Sequence, residues 1–186
     1  MSTIACTTWA TPLGPLVVAA SARGLVGAWF DAQKHFAGPA PTWHRDDDHP
    51  VLREAIGQLE SYFAGERRDF ELPCDPRGTP FQQAVWRAIA TVRYGELLTY
   101  AELAARAGAP GAARAAGAAT GRNPLSIIVP CHRIVGARGA LTGYAGGLAR
   151  KEALLALERV APGGAPGGTG ELWRTGAPAD ALAAST

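Results

Sequence analysis

The stretch "TPFQQAVWRAIATVRYGELLTYAELAARAGAPGAARAAGAATG", Thr79 to Gly121, carries two helix starts of the same design. Thr79 precedes Pro80, a residue suited to the first helical position. Gln82 follows at the third, which is the spacing of a capping box. Phe81, Val85, Trp86 and Ile89 then recur on one helical face. Thr99 and Glu102 repeat the device, and Gly108 supplies the stop. The remainder, "APGAARAAGAATG", reads as a short helix of small residues. Two short helices joined at Gly108-Ala109-Pro110 predict a helix-turn-helix. The second helix bears only Ala, Gly, Thr and Arg114. Such a surface cannot read base edges, although its backbone can approach a narrow groove closely. An alanine-rich packing helix accounts for the same composition.

Upstream, "PLGPLVVAAS" and "GLVGAWF" are apolar runs split by "ARG", a hairpin pattern within residues 3–30. Residues 31–49 read as a surface loop. Leu52, Ile56, Leu59 and Phe63 mark a helix that Gly65 stops. "RRDFELPCDPRG" reads as a strand and then a linker. Downstream, "LSIIVP" predicts a short strand or extended segment, and a helix is expected from about Leu148 to Val160. The expected domains are 1–73 and 80–160, joined by a linker at 74–79, with a flexible Gly/Pro/Ala tail at 161–186.

The chain has 186 residues, 47% of them hydrophobic, enough for one large domain or a small and a medium one. Its net charge of +2 hides an asymmetry. Residues 1–73 hold six Lys+Arg against nine Asp+Glu, and residues 80–160 hold ten against four. A basic second half suits a polyanionic partner. No apolar run is long enough for a membrane span, and the start has no secretory pattern. Three irregularly spaced cysteines suit reduced thiols in a cytoplasmic protein. Cys6, His35, His44 and His49 lack tight ligand spacing, so no metal is expected, and no cofactor.

Of the three cysteines, Cys131 alone has basic neighbours, in "NPLSIIVPCHRIVG", Asn123 to Gly136. A thiol needs a base or a positive charge nearby to become a thiolate near neutrality. His132 and Arg133 are candidates, and a histidine base is normally oriented by an acid. Glu152 and Glu158 are the nearest acids downstream, on different faces of the expected helix. Lys151 and Glu158 are seven apart and share a face. These residues alone leave open a reactive thiol, a cysteine hydrolase, or a buried small hydrophobe beside a solvated pair.

Taken together, residues 78–108, "NPLSIIVPCHRIVG" and "GYAGGLARKEALLALE" resemble the O6-alkylguanine-DNA alkyltransferases. The resemblance is close over about 78–160, and "LESYFAGERRDFELP" is similar to that family's N-terminal domain. It implies an α+β protein of two lobes. The first would be a ribonuclease-H-like sheet with a helix, the second mainly helical with the helix-turn-helix. It implies irreversible, single-turnover transfer of the alkyl group from O6-alkylguanine, and from O4-alkylthymine, to Cys131. The partner would be double-stranded DNA bound through the minor groove by a monomer, with the damaged base flipped out.

The resemblance also implies roles. Cys131 would be the acceptor, His132 its base through a water, and Glu158 the group orienting His132. Asn123 would hold the turn carrying the cysteine, and Tyr100 would bond guanine N3 and supply a proton. The carbonyls of Cys131 and Ile134 would receive the exocyclic amine, and the Ala145 N–H would bond O6. Tyr144 would flank the base, Lys151 would support the site, and Ser126 joins the substrate-binding set. Arg114, Ala115, Gly121 and Arg122 would face DNA. Two departures stand out. Gly121 occupies the position of the arginine that fills the vacated stack in some members, which leaves Arg122 either that role or a phosphate contact. Of the zinc ligands some members carry, only Cys6 lies near a matching position. Alkyltransferase-like proteins share the fold but lack the acceptor cysteine, and Cys131 argues against that reading.

Overall fold

The computed structural model describes residues 3–159. Strands β1 (Ala5–Thr11), β2 (Gly14–Ser21) and β3 (Gly24–Phe30) form an antiparallel meander, and β4 (His44–Arg45) pairs parallel with β1. The sheet order is β3-β2-β1-β4. Helix α1 (Pro50–Phe63) buries Leu52, Ala55, Leu59 and Tyr62 against the sheet side chains Leu16, Val18, Leu25 and Phe30. The opposite face carries a smaller cluster of Ile4, Cys6, Ala19 and Val26 beneath Trp29 and Trp43. Trp29 stacks on Phe36 at 4.4 Å, so part of the 31–49 loop is packed against the sheet. Gly27 is needed there, because a Cβ would lie 1.7 Å from the Trp29 ring.

The second lobe follows as α2 (Pro80–Ala90), β5 (Leu98–Thr99), α3 (Tyr100–Arg106), α4 (Ala113–Thr120), β6 (Ile134–Val135) and α5 (Leu148–Leu157). Both capping boxes form. Thr79 accepts from the Gln82 N–H and Thr99 from the Glu102 N–H, and each partner side chain reaches back to its cap. Helices α3 and α4 make the expected helix-turn-helix pair. Trp86 Nε1 donates to the Ala119 carbonyl at 2.9 Å, which fixes the end of α4 to α2. Ala116 and Ala119 of α4 are buried while Arg114, Ala115 and Ala118 are exposed. One face therefore packs and the other is free.

Three expectations change. "RRDFELPC" is no strand: it makes a single bridge, Leu25 to Cys74. Gln58 takes up the Glu71 backbone in both directions, at 2.9 and 3.1 Å, and Pro73 has no N–H to donate. "LSIIVP" likewise makes only the bridge between Ala28 and Leu125. The last helix ends at Leu157 rather than Val160. The tail predicted at 161–186 lies outside the described residues.

The lobes share one hydrophobic core, which runs from Leu16 and Phe30 through Trp86 and Ile89 to Leu154. Arg150 seals the seam, stacking over Phe30 at 4.6 Å and donating to the Leu13 carbonyl at 2.8 Å. Among the described residues no helix is long and apolar enough to cross a membrane.

Candidate active site

Asn123 organises the segment after α4. Its Oδ1 accepts from the Leu125 N–H at 3.0 Å, and its Nδ2 donates to the carbonyls of Leu125 and Val129. Ile127 is held at a φ of 71°, a costly conformation for a β-branched residue. The apolar run thus closes into a tight turn instead of a strand. It delivers Cys131 at the start of a 3₁₀ turn, Cys131–Arg133. Nδ2 of Asn123 also reaches the Cys131 sulfur, at 3.1 Å.

That 3₁₀ turn aims its next two side chains at Glu158, just past α5. His132 Nε2 lies 2.9 Å from Glu158 Oε1. Arg133 donates to both carboxylate oxygens at 2.9 Å and to the Val92 carbonyl at 2.6 Å. Tyr62 Oη of α1 donates to Oε1 at 2.7 Å, and the Gly95 N–H to Oε2 at 3.3 Å. Burial alone would raise the Glu158 carboxyl. The His132 and Arg133 donors outweigh it and hold the group down, to about 2. Burial lowers His132 below the ordinary imidazole range despite the carboxylate, so its ring is neutral at pH 7. An ionised carboxylate only accepts, so the ring hydrogen belongs on Nε2. Nδ1 is then a bare base, buried and without a hydrogen-bond partner among the described residues.

The thiol differs from the sequence expectation in one respect. Arg133 is committed to Glu158 and His132 is uncharged, so neither cation lies free beside the sulfur. Burial pushes the Cys131 thiol up, while the Asn123 amide, the Lys151 charge and the N–H groups of Cys131 and His132 pull it down. Lys151 is itself fully buried, which lowers its ammonium to about 8. It donates to the carbonyls of Ile134, Thr142 and Gly143, fastening the 136–147 loop beside the sulfur.

Cys131 lies in a cleft of about 250 Å³. Gly117, Ala118 and Gly121 of the α4 region form one wall, and Tyr144 and Ala145 another. Tyr100 closes the side, its hydroxyl donating to the Thr142 carbonyl at 3.3 Å. The Tyr144 hydroxyl is buried without a partner among the described residues. Ser126 is outside the cleft lining but lies next to the Tyr144 side chain, donating to Gln33 Oε1 at 2.8 Å. Ile134 is fully buried with its carbonyl on Lys151, outside the cleft lining. Arg114, Ala115 and Arg122 are exposed around the α4 face.

Sequence reasoning missed Tyr62, and it missed Lys34 and His35, which line the cleft mouth from the first lobe. The Lys34 N–H donates to the Ala145 carbonyl at 2.9 Å, tying that loop to the cleft wall. No local pattern marks either contact.

Comparison with known proteins converges on one family. Residues 4–76 match the family model described as 6-O-methylguanine DNA methyltransferase, ribonuclease-like domain, and residues 80–160 match the DNA binding domain of the same name. A methylated-DNA–protein-cysteine methyltransferase of Mycobacterium tuberculosis is 49% identical over 149 residues, covering 80% of this chain and 88% of that one. The chain belongs to the methylated-DNA–protein-cysteine methyltransferase family. A relative of the same name from Methanosarcina acetivorans is 47% identical over 80% of this chain and 94% of its own. The crystal structure of Mycobacterium tuberculosis OGT in complex with DNA superposes with a TM-score of 0.78. It is 46% identical, over 83% of this chain and 93% of that one. The family's two-lobe architecture is the one described above.

Proposed function

We propose that this protein is a direct-reversal DNA repair enzyme, transferring the alkyl group of O6-alkylguanine to Cys131. A thiol lining a cleft walled by an alanine-rich helix, followed in the chain by a buried histidine that Glu158 holds, carries the reading. The α4 face has small side chains flanked by Arg114 and Arg122, which suits a backbone lying close in the minor groove. The damaged base would be flipped into the cleft, since the thiolate cannot reach it in line within the stack.

In the proposed reaction Nδ1 of His132 takes the Cys131 proton through a bridging water, and Glu158 holds the ring through Nε2. The sulfur attacks the alkyl carbon, the carbon–O6 bond breaks, and its electron pair leaves with guanine. Tyr100, kept protonated because burial raises its phenol, donates to the base as it gains charge. Tyr144 flanks the ring, and the Ala145 N–H is offered to O6. The product is a thioether, which water does not cleave, so each molecule turns over once. O4-alkylthymine is a second substrate in the same reading, and the protein acts as a cytoplasmic monomer. Incubation with a duplex containing O6-methylguanine, followed by peptide mass spectrometry, tests it. One added methylene on the Cys131 peptide, at one per protein, is expected. Repeated turnover or an unmodified Cys131 would refute it.

A further inference from the structure

Glu158 Oε1 accepts from three donors at once: Tyr62 Oη at 2.7 Å, His132 Nε2 at 2.9 Å and Arg133 Nη2 at 2.9 Å. Oε2 takes two more, from Arg133 Nε and the Gly95 N–H. A carboxylate offers about four lone-pair sites, so five donors compete for it. Two of them belong to one guanidinium and have no alternative acceptor at the carboxylate. Tyr62 differs from the rest. It comes from α1 of the first lobe, 96 residues away in sequence, and is fully buried. Its ring is fixed edge-on against Phe63 and Tyr94 and tilted against Phe70, so its hydroxyl has one stable direction.

We propose that Tyr62 is a positioning residue for the transfer reaction, acting through Glu158 to temper the basicity of His132. The inference rests on the His132–Glu158 relay proposed above. A hydrogen bond from Tyr62 draws charge from the one oxygen that polarises the imidazole. That keeps His132 a neutral base over a wider acid range, because a carboxylate freed of competing donors would favour the imidazolium. The other titratable groups facing the pair are Arg133 on the same 3₁₀ turn, Lys151 on α5 and Tyr94 after α2. Tyr94 spends its hydroxyl on the Leu157 carbonyl at 3.0 Å and does not bond Glu158. The first lobe therefore supplies part of the acid–base machinery in addition to its part of the shared core.

The test is Tyr62→Phe in the full chain, which removes one oxygen and keeps the ring packing. Single-turnover methyl transfer from saturating O6-methylguanine duplex is measured from pH 5 to 9, with a melting curve at each end. The acid limb should move toward neutral by about half a unit, so that at any pH well below its midpoint the rate falls about threefold against the parent. Tyr94→Phe, which loses a neighbouring buried hydroxyl, should leave the limb where it is. A Tyr62→Phe limb that superimposes on the parent or moves to lower pH overturns the inference. His132→Gln distinguishes the two levels. If the limb persists without the imidazole, the relay itself is wrong. If it vanishes while Tyr62→Phe is silent, only the role of Tyr62 falls.

Discussion

The side-chain amide of Asn123 donates to the sulfur of Cys131 at 3.1 Å and, from the same nitrogen, to the carbonyl of Val129 at 2.8 Å. One group therefore shapes the turn and stabilises the anion that the turn presents. The thiol is buried, and burial opposes its ionisation. What offsets that is a set of neutral dipoles and one buried ammonium, Lys151, which water cannot screen well.

Asn123→Ala should remove the donor to the thiolate and leave the Val129 carbonyl only the Cys131 N–H, at 2.7 Å. Hydrogen bonds to charged groups contribute about 1.5–3 kcal/mol, so methyl transfer should slow about ten- to a hundredfold. The alkylation rate of Cys131 followed against pH should show its thiol titrating higher than in the parent. An unchanged titration would remove Asn123 from thiolate stabilisation and leave it a turn residue.

Cys131→Ser should abolish transfer and leave duplex binding intact, because the exposed α4 face is untouched. Cys6 lies in the separate cluster under Trp29, and Cys74 is exposed in the linker. Cys6→Ser and Cys74→Ser should both transfer at the parental rate in a stoichiometric assay. A large loss in either would mean the acceptor is misassigned.

Glu158 makes the fold sensitive to acid. Its folded carboxyl is held at about 2, below the ordinary glutamate value near ~4.3. Its contribution is therefore full above that ordinary value and is lost as pH falls through the folded one. The linkage amounts to on the order of 3 kcal/mol. In Glu158→Gln the stability curve from chemical denaturation should be flatter between about pH 4.5 and pH 2 than in the parent. Glu158→Ala should be worse at every pH, since it strands the buried Arg133 at a cost of about 3–5 kcal/mol. Parallel acid limbs in parent and Glu158→Gln would contradict the assignment.

What the sequence made legible was local. Thr79 with Gln82 and Thr99 with Glu102 are contacts within one helical turn, so spacing alone predicts them, and both form. The pairing of His132 with Glu158 came from the resemblance, and helix geometry pointed only to a face shared by Lys151 and Glu158. Arg133 was misread because adjacency to Cys131 in sequence says nothing about where a 3₁₀ turn sends consecutive side chains. "LSIIVP" has strand composition, yet the Asn123 side chain supplies hydrogen bonds that a neighbouring strand would otherwise provide. Tyr62, Lys34 and His35 reach the site across the lobe interface. They were invisible because their residue types fit a helix core and a polar loop equally well.

Arg122 is the remaining test. A flipped guanine leaves a gap in the stack, and a side chain inserted there recovers part of the unstacking cost. Helix α4 ends at Thr120, and Gly121 lines the cleft wall. Gly121 sits at φ −64°, so the turn does not use glycine's left-handed freedom. The Arg122 N–H continues the coil onto the Ala119 carbonyl at 3.1 Å. Arg122 thus projects from an exposed position one step past the wall. Arg122→Ala should lower transfer on duplex substrate and spare single-stranded substrate, with little change in the salt dependence of binding, if the side chain fills the stack. A phosphate contact instead predicts a loss on both substrates and a salt slope weaker by about one unit. Gly121→Arg gives an independent check. A Cβ there meets nothing closer than 3.7 Å, so the residue is sterically admissible. Introduced into Arg122→Ala, it should restore duplex transfer if the gap is filled from this wall. Failure to restore it, together with a weakened slope, would leave Arg122 as a backbone contact alone.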